Sequence, residues 1–227
     1  MLPWDELPEN MRTGAVRPYY DALVKKEKQL CLKRMFDVGI AVFLMLILLP
    51  TFIIIGISVA FTGPGGVFFC QERVTTYGKK FKIIKFRTMV KDAPEKGTKV
   101  TTDNDSRVTE VGAFLRKYRL DELPQLINII KGDMSLVGTR PEVPDYVEKY
   151  TPEMLATLLL PAGVTSEASI KYKDEAEKLK DLTGDDVDRV YVEEILPEKM
   201  VYNLNYVKKY SVFKDIALCF RTVKDVF

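Results

Sequence analysis

The chain has 227 residues, a length that fits one domain with a sizeable core or one domain with an appendage. Its 34 Lys and Arg nearly cancel its 32 Asp and Glu, so the net charge of +2 gives no indication of a nucleic-acid partner. The absence of histidine excludes Ser–His and Cys–His nucleophile pairs, imidazole bases and histidine-containing zinc sites. Three distant cysteines without CxxC spacing are typical of a reducing compartment. Chemistry must therefore use carboxylates, amines, hydroxyls or a hard metal ion.

Residues 1–32 are polar and charged, and part of this region has an amphipathic helical pattern that leads to an apolar run. The run, Val38 to Phe61, has 24 residues and no charge. As a straight helix it would be about 36 Å long, enough to cross a hydrocarbon core of about 30 Å. Pro50 lies at its middle, where proline breaks or kinks a helix. Basic residues flank both ends, as expected if both ends stay on the cytoplasmic side. These features favour a re-entrant membrane helix within residues 33–66, with a kinked spanning helix as the alternative.

After a turn at Thr62–Gly66, the runs "VFFCQERV" and "KKFKIIKFRTM" predict two strands joined by a turn at Tyr77 and Gly78. The segments "RVTEVGAFLRKY" and "DELPQLINIIKG" predict helices. In the second helix, Asp121 is expected as the N-cap and Gly132 as the stop. The rest of the chain is charged and helical in pattern. It ends in "SVFKDIALCFRTVKDVF", whose amphipathic pattern suits core packing or a membrane interface.

Asp121 and Glu122 are the candidate reactive carboxylates. An Asp at a helix start is usually only a cap, but here Arg116 and Arg119 precede the pair and Arg140 follows it. A helix start surrounded by guanidinium groups is a place to bind phosphate. A carboxylate there can bind Mg²⁺ or attack phosphorus, with Glu122 as a general base or second ligand.

Two acidic triplets compete with this pair. Asp103-Asn104-Asp105 and Asp186-Val187-Asp188 have the Asp-x-Asp form used by metal-dependent glycosyltransferases, a pattern that arises often by chance in a chain with this many acids. Neither fits an EF-hand loop, and the chain has neither a P-loop nor a Rossmann glycine motif. A nucleotide would have to be bound by other means.

Six segments form a recognisable set in chain order: "KRMFD", "CQERV", "FKIIKFRTM", "FLRKYRLDELPQLINIIKGDMSLVGTRP", "GVTS" and "NLNYVKKYS". Together they resemble the monotopic phosphoglycosyl transferases, also called bacterial sugar transferases, from about Lys33 to the C-terminus. The resemblance implies an α+β fold with a mostly helical cytosolic domain and a short β-hairpin. This catalytic domain, 67–227, would end in an interfacial amphipathic helix. The re-entrant helix and its turn, 33–66, would anchor it, and 1–32 would be an N-terminal amphipathic extension.

The resemblance also implies an activity. Family members transfer a phosphosugar from a UDP-sugar to a polyprenol phosphate and release UMP, at the cytoplasmic face of the bacterial inner membrane. This is the first membrane step in assembling a glycan such as an exopolysaccharide, capsule, O-antigen or glycoprotein. The expected partners are thus the UDP-sugar, the polyprenol phosphate and the lipid bilayer, without nucleic acid; a homodimer is left open.

Carried over to this sequence, Asp121 would be the nucleophile that forms a covalent phosphosugar, and Glu122 would assist the acceptor. Both would hold Mg²⁺. The positions expected to bind phosphate or substrate are Arg116, Arg140, Lys85, Arg87, Gln71 and Arg73. Three departures from the family pattern are Leu49, where Ser often precedes the helix-breaking Pro50, Thr139, where Pro is usual, and the loop from Pro161 to Ser169. In that loop, many members read basic-Pro-Gly-hydrophobic-Thr-Gly with a following Gln, whereas this chain has "PAGVTSEAS". Two alternatives are an Asp121-dependent phosphohydrolase and a catalytically silent membrane-bound scaffold of the same fold.

Overall fold

Ten α-helices, several 3₁₀ turns, one π-helical turn and two small sheets make up the computed structural model within the residues that it describes, 1–91, 107–172 and 185–226. The first helices are α1 (Arg17–Val24), α2 (Glu27–Ile47), α3 (Leu49–Ala60), α4 (Glu110–Lys117) and α5 (Gln125–Lys131). They are followed by α6 (Pro144–Val147), α7 (Glu167–Lys171), α8 (Asp185–Val190), α9 (Leu196–Lys208) and α10 (Val212–Val226). The strands are β1 (Phe68–Val74), β2 (Lys80–Phe86), β3 (Met134–Val137) and β4 (Ala162–Thr165). The mixture of helix and strand confirms the α+β prediction.

The apolar run forms a bent pair of helices. α2 ends at Ile47 and α3 leaves it at an angle of 65°, with Pro50 in the first turn of α3. Proline has no N–H for the helical ladder and its ring crowds the preceding turn, so the chain restarts instead of continuing. Within the described ranges, no single helix is long and apolar enough to cross a membrane; the bent pair passes that test by length and composition alone. Its exposed large apolar side chains include Phe43, Leu46, Ile47, Leu49, Ile53, Ile54, Ile57 and Phe61.

The predicted β-hairpin is confirmed. β1 and β2 are antiparallel, with a register that runs from Phe68 opposite Phe86 to Val74 opposite Lys80. Tyr77 and Gly78 in the connection have φ values of 58° and 77°, the left-handed backbone that a tight turn needs. One face of β2 packs into the core between α2 and α5, which fixes the position of the hairpin in the domain.

The prediction that Asp121 caps the following helix is wrong. α5 begins only at Gln125, and Asp121 lies in a 3₁₀ turn, Leu120–Glu122, that Arg119 enters with a left-handed φ of 56°. The reason is Pro124, which cannot donate the α-helical hydrogen bond to the carbonyl four residues earlier. The bonds before it are therefore of the i to i+3 type. The predicted stop at Gly132 is confirmed, with φ at 97°.

A second, parallel sheet joins β3 to β4, with Met134 opposite Ala162 and Val137 opposite Thr165. Gly138 and Gly163 lie where the backbones of these two segments come closest. A Cβ placed on Gly163 would be 2.1 Å from the Gly138 nitrogen, so no larger residue fits. This close approach sets the direction of the loop that leaves β3.

The N-terminal residues are part of the main hydrophobic core. Leu7, Met11 and Leu23 are buried in one cluster with Leu159 and Tyr210 from the C-terminal half of the chain. The N-terminal stretch therefore packs onto the rest of the chain through apolar contacts.

The C-terminal helix α10 is amphipathic, as predicted. Val212 and Asp215 are buried, whereas Phe213, Phe220 and Val223 are exposed. This leaves one apolar side of α10 available to an interface.

Candidate active site

The two adjacent carboxylates meet cations from two other parts of the chain. Glu122 accepts a hydrogen bond from Lys85 of β2 at 2.8 Å, although the two residues are 37 positions apart. Arg140, in the loop after β3, donates to the same oxygen, Oε1, and at 3.3 Å to Oε2. Both carboxylate oxygens of Glu122 are therefore held by ion pairs.

These contacts fix the charge of Glu122. Burial alone would raise its pKa, but the charges and hydrogen bonds of Arg140 and Lys85 hold that pKa well below the ordinary value. In return, Glu122 raises the pKa of Arg140. Burial lowers the pKa of Lys85, and the charge of Glu122 opposes that shift. Glu122 is thus an anion that keeps two half-buried cations charged.

Asp121 differs from Glu122 in its pKa and in its hydrogen bonds. It is buried, and burial raises its pKa; the charge of Glu122 adds to the rise while Lys85, Arg116 and Arg140 oppose it. In residues 1–91, 107–172 and 185–226, no side chain donates a hydrogen bond to its carboxylate. A carboxylate with raised basicity and lone pairs not occupied by protein donors, among cations, is suited to attack phosphorus.

Arg116 approaches from the last turn of α4. Its Nε donates to the Thr88 hydroxyl at 2.9 Å, and its charge lowers the pKa of Asp121. Gly112 of α4 allows the helix to approach Thr88 closely, because a Cβ on residue 112 would lie 2.1 Å from the Thr88 carbonyl oxygen. α4 can therefore lie directly against the end of β2.

Gln71 and Arg73 of β1 lie behind the Arg140 loop. Arg73 donates to the Gln71 side chain at 2.7 Å and to the Pro141 carbonyl at 3.1 Å. Burial lowers the pKa of Arg73, and the like charge of Arg140 contributes to the shift. These two residues support the loop that carries Arg140, and their direct contact with substrate stays a prediction.

Arg87 lies elsewhere. Its guanidinium donates to the backbone carbonyls of Val59 at 3.1 Å and Gly63 at 3.0 Å, and also to that of Pro64. It thus binds the end of α3, where helical carbonyls lack partners. This geometry gives the predicted phosphate-binding role of Arg87 no support.

The competing acidic triplet at 186–188 forms no metal site in the part of the chain that the structure describes. Asp186 pairs with Arg189 at 2.8 Å on the surface, whereas Asp188 accepts from the Tyr146 hydroxyl. Across the described ranges, no three Asp, Glu or Cys side chains are arranged to hold a metal ion. The triplet at 103–105 lies outside the described residues.

Sequence reasoning missed Glu142, which is buried two positions after Arg140 and bonded to Tyr191. The signal was present in "TRPEV", where an acid follows a proposed phosphate-binding arginine so closely.

The profile of the bacterial sugar transferase family matches residues 28–227. The chain belongs to this family. The resemblance found in the sequence is confirmed, and the match includes every residue of the site. It begins at residue 28, so most of the N-terminal region lies outside it.

Relatives of this chain include proteins named as undecaprenyl-phosphate sugar phosphotransferases. The chain is 34% identical to the UDP-glucose:undecaprenyl-phosphate glucose-1-phosphate transferase of Escherichia coli over 95% of its length and 44% of that protein. It is also 34% identical to the exopolysaccharide production protein ExoY of Rhizobium meliloti, over 97% of this chain and 91% of the relative. The undecaprenyl-phosphate galactose phosphotransferase of Salmonella typhimurium is 34% identical over 86% of this chain and 40% of that protein. The chain thus spans less than half the length of two of these relatives.

Proposed function

We propose that the chain transfers a sugar 1-phosphate from a UDP-sugar to a membrane polyprenol phosphate and releases UMP. The observation that carries this proposal is the contrast between two neighbouring carboxylates. Glu122 is held as an anion by Lys85 and Arg140, whereas Asp121 is buried, more basic and not bonded to any described side chain. The printed names of the relatives, which include undecaprenyl-phosphate sugar phosphotransferases, support the substrate class.

In the first step, an oxygen of Asp121 attacks the sugar-bearing β-phosphorus of the donor. A new bond forms between that oxygen and phosphorus, while the bond from phosphorus to the bridging oxygen breaks. UMP leaves with the bridging oxygen and the electron pair. The charge that develops on the phosphoryl oxygens is met by Lys85, Arg116 and Arg140, which hydrogen bonds to Glu122 and Thr88 hold in place.

In the second step, a phosphate oxygen of the polyprenol phosphate attacks the same phosphorus. The bond to Asp121 breaks, the carboxylate is restored, and the product is a polyprenyl diphosphate sugar. The second ionisation of a phosphate monoester has a pKa of about 6, so the acceptor is mostly a dianion near pH 7 and needs no strong base. Glu122 then acts chiefly by keeping Lys85 and Arg140 charged and in place.

Mg²⁺ is the proposed cofactor. It commonly binds through one or two carboxylates together with substrate phosphates, and Asp121 fits that mode because its carboxylate is not used by a described side chain. Glu122 does not fit as a second ligand while Lys85 and Arg140 hold both of its oxygens. When bound, Mg²⁺ would neutralise charge on the diphosphate.

We further propose that the protein acts at the cytoplasmic face of the bacterial inner membrane. The exposed apolar side chains of α2, α3 and α10 would enter the leaflet, and the polyprenol chain would stay in lipid while its phosphate reaches the site. This placement explains why the bent pair of helices belongs to the same chain as the carboxylates.

The test is an assay in nanodiscs with a panel of UDP-sugars and undecaprenyl phosphate, in which UMP and lipid-linked sugar are measured together. Asp121→Asn should abolish both products. Asp186→Asn, which neutralises an exposed aspartate of a competing triplet, should leave both at the level of the unchanged protein. Release of free sugar phosphate without lipid product would instead indicate a hydrolase, and no turnover with any donor would favour the silent scaffold.

A further inference from the structure

The loop that carries Arg140 rests on a buried polar network. Glu142, two positions further on, is 7% exposed and accepts a hydrogen bond of 2.6 Å from the Tyr191 hydroxyl. Lys199 donates to the same hydroxyl at 2.9 Å and lies 3.7 Å from the Glu142 carboxylate. All three groups are buried, so the contacts between them replace hydrogen bonds to water.

β1 holds the same loop from another direction. Arg73 donates to the Pro141 carbonyl at 3.1 Å, and the Val74 amide donates to the Glu142 carbonyl at 3.0 Å. The charge of Glu142 raises the pKa of Arg73 against the effect of burial, which places this carboxylate near two cations, Arg73 and Lys199. The backbone of the loop is therefore hydrogen-bonded to β1, and the Glu142 side chain contacts Tyr191 and Lys199 in the C-terminal helical region.

Tyr191 is itself held firmly. It opens a π-helical turn, Tyr191–Ile195, between α8 and α9, and such turns occur often at functional sites. Its ring stacks on Tyr146 with the centroids 4.8 Å apart, and the Lys199 ammonium lies 5.0 Å from the ring centroid. The hydroxyl thus has little freedom to move away from Glu142.

We propose that Tyr191 and Lys199 are positioning residues for the transfer reaction. They hold Glu142, and through it the loop that presents Arg140 to Glu122 and to the substrate phosphates. This inference rests on the proposed function, because it assigns Arg140 to phosphate binding. A displacement of about 1 Å in a positioned group can reduce a rate by about two orders of magnitude, so a network that fixes the loop matters to turnover.

The first test is Tyr191→Phe, which removes one hydroxyl and keeps the stacked ring. We expect kcat for UMP release to fall by about tenfold with little change in KM for the UDP-sugar, since the cost falls on the transition state. Tyr146→Phe is the matched control, because it removes a neighbouring tyrosine hydroxyl that is bonded to Asp188. It should retain near-normal kcat.

A double-mutant cycle with Arg140→Lys separates positioning from general support of the fold. If Tyr191 acts through the Arg140 guanidinium, Tyr191→Phe should cost much less in the Arg140→Lys background than in the unchanged protein. Lys199→Arg, which retains charge and donors, should keep most of the activity, whereas Lys199→Met should lose it.

The outcomes discriminate clearly. Equal losses in Tyr191→Phe and Tyr146→Phe, or additive losses in the cycle, would overturn the positioning role. If the unchanged protein releases UMP and Tyr191→Phe matches it, the positioning role fails while the proposed function stands. If the unchanged protein releases no UMP from any donor, both fail.

Discussion

Arg140 and Glu122 form a forked ion pair, in which different guanidinium nitrogens reach the two carboxylate oxygens. Such pairs fix geometry as well as charge. The ion pair keeps Glu122 ionised, and the negative charge of Glu122 raises the pKa of the neighbouring Asp121. Two adjacent carboxylates with pKa values shifted in opposite directions are suited to different roles. We assign the nucleophile to Asp121 and the support of the cations to Glu122.

The pH dependence of the first step should show this arrangement. Asp121 must be ionised to attack, so the rate should fall as the pH drops through its pKa, which burial raises above the ordinary value for Asp. Arg116 lowers that pKa and Glu122 raises it. Arg116→Gln should therefore move the acid limb to higher pH, and Glu122→Gln should move it to lower pH.

The measurement is single-turnover UMP release without acceptor, which avoids the titration of the acceptor phosphate. Lys131→Gln changes a basic residue at the end of α5 and serves as the control. If the acid limbs of the pH–rate profiles coincide in all variants, the ionisation of Asp121 does not control the first step.

A second prediction concerns the buried charges that join α2 to α10. Lys33 lies 2.6 Å from the Asp215 carboxylate and 3.6 Å from that of Asp37, which also accepts from the Ser135 hydroxyl. Removing one partner of a buried ion pair leaves an uncompensated charge, at a cost of about 3–5 kcal/mol. Lys33→Met should therefore lower the melting temperature by on the order of 10 °C.

Thermal unfolding followed by circular dichroism would measure this loss. Combining Lys33→Met with Asp215→Asn should recover part of it, because the second change removes an unpaired carboxylate. Arg17→Ala breaks an exposed pair with Asp21 and should cost less than about 1 kcal/mol. An equal loss in both single variants would contradict the importance of the buried charges.

The sequence revealed the local elements well and the long-range contacts poorly. The hairpin, α4 and the stop at Gly132 follow from period, turn residues and caps, all of which act within a few positions. The pairing of Lys85 with Glu122 depends on how β2 packs against the turn before α5, and no local pattern encodes it. The parallel sheet of β3 and β4 was missed for the same reason.

The site was predicted from local chemistry where its residues are close in sequence, and less well where they are not. Asp121, Arg116 and Arg140 come together as expected. For Arg87, the sequence gives no sign of whether phosphate or a helix end will accept its hydrogen bonds, so its role in phosphate binding stays a prediction. Only the fold showed that the carbonyls at the end of α3 take that place.

Metal removal gives a third prediction. EDTA should stop UMP release, and Mg²⁺ should restore it. Because the substrate would supply most of the oxygen ligands, the Mg²⁺ concentration for half-maximal rate should fall as the UDP-sugar concentration rises. Glu122→Gln should leave that concentration nearly unchanged, since the oxygens of Glu122 are taken by Lys85 and Arg140. Full activity in a metal-free preparation would refute the cofactor assignment, and a large increase in Glu122→Gln would restore Glu122 as a ligand.

The last prediction is that the bent pair of helices enters and leaves the membrane on one side. Its first helix is tied to the domain where Arg34 donates to the Ile129 carbonyl at 2.7 Å, and its second where Arg87 binds the Val59 carbonyl at 3.1 Å. A spanning segment would carry one of these ends away from the domain. α3 has 12 residues, about 18 Å at 1.5 Å per residue, and cannot cross alone.

Single cysteines at Lys28 and Lys79, which are exposed positions on either side of the pair, would report the topology after the native cysteines are replaced by serine. In cells with a permeabilised outer membrane, a membrane-impermeant maleimide should label neither position. After the inner membrane is opened, it should label both, because both ends of the segment are bound to one cytoplasmic domain. Labelling of only one position in the first condition would establish a spanning helix. It would also require the contacts of Arg34 or Arg87 to break in the membrane.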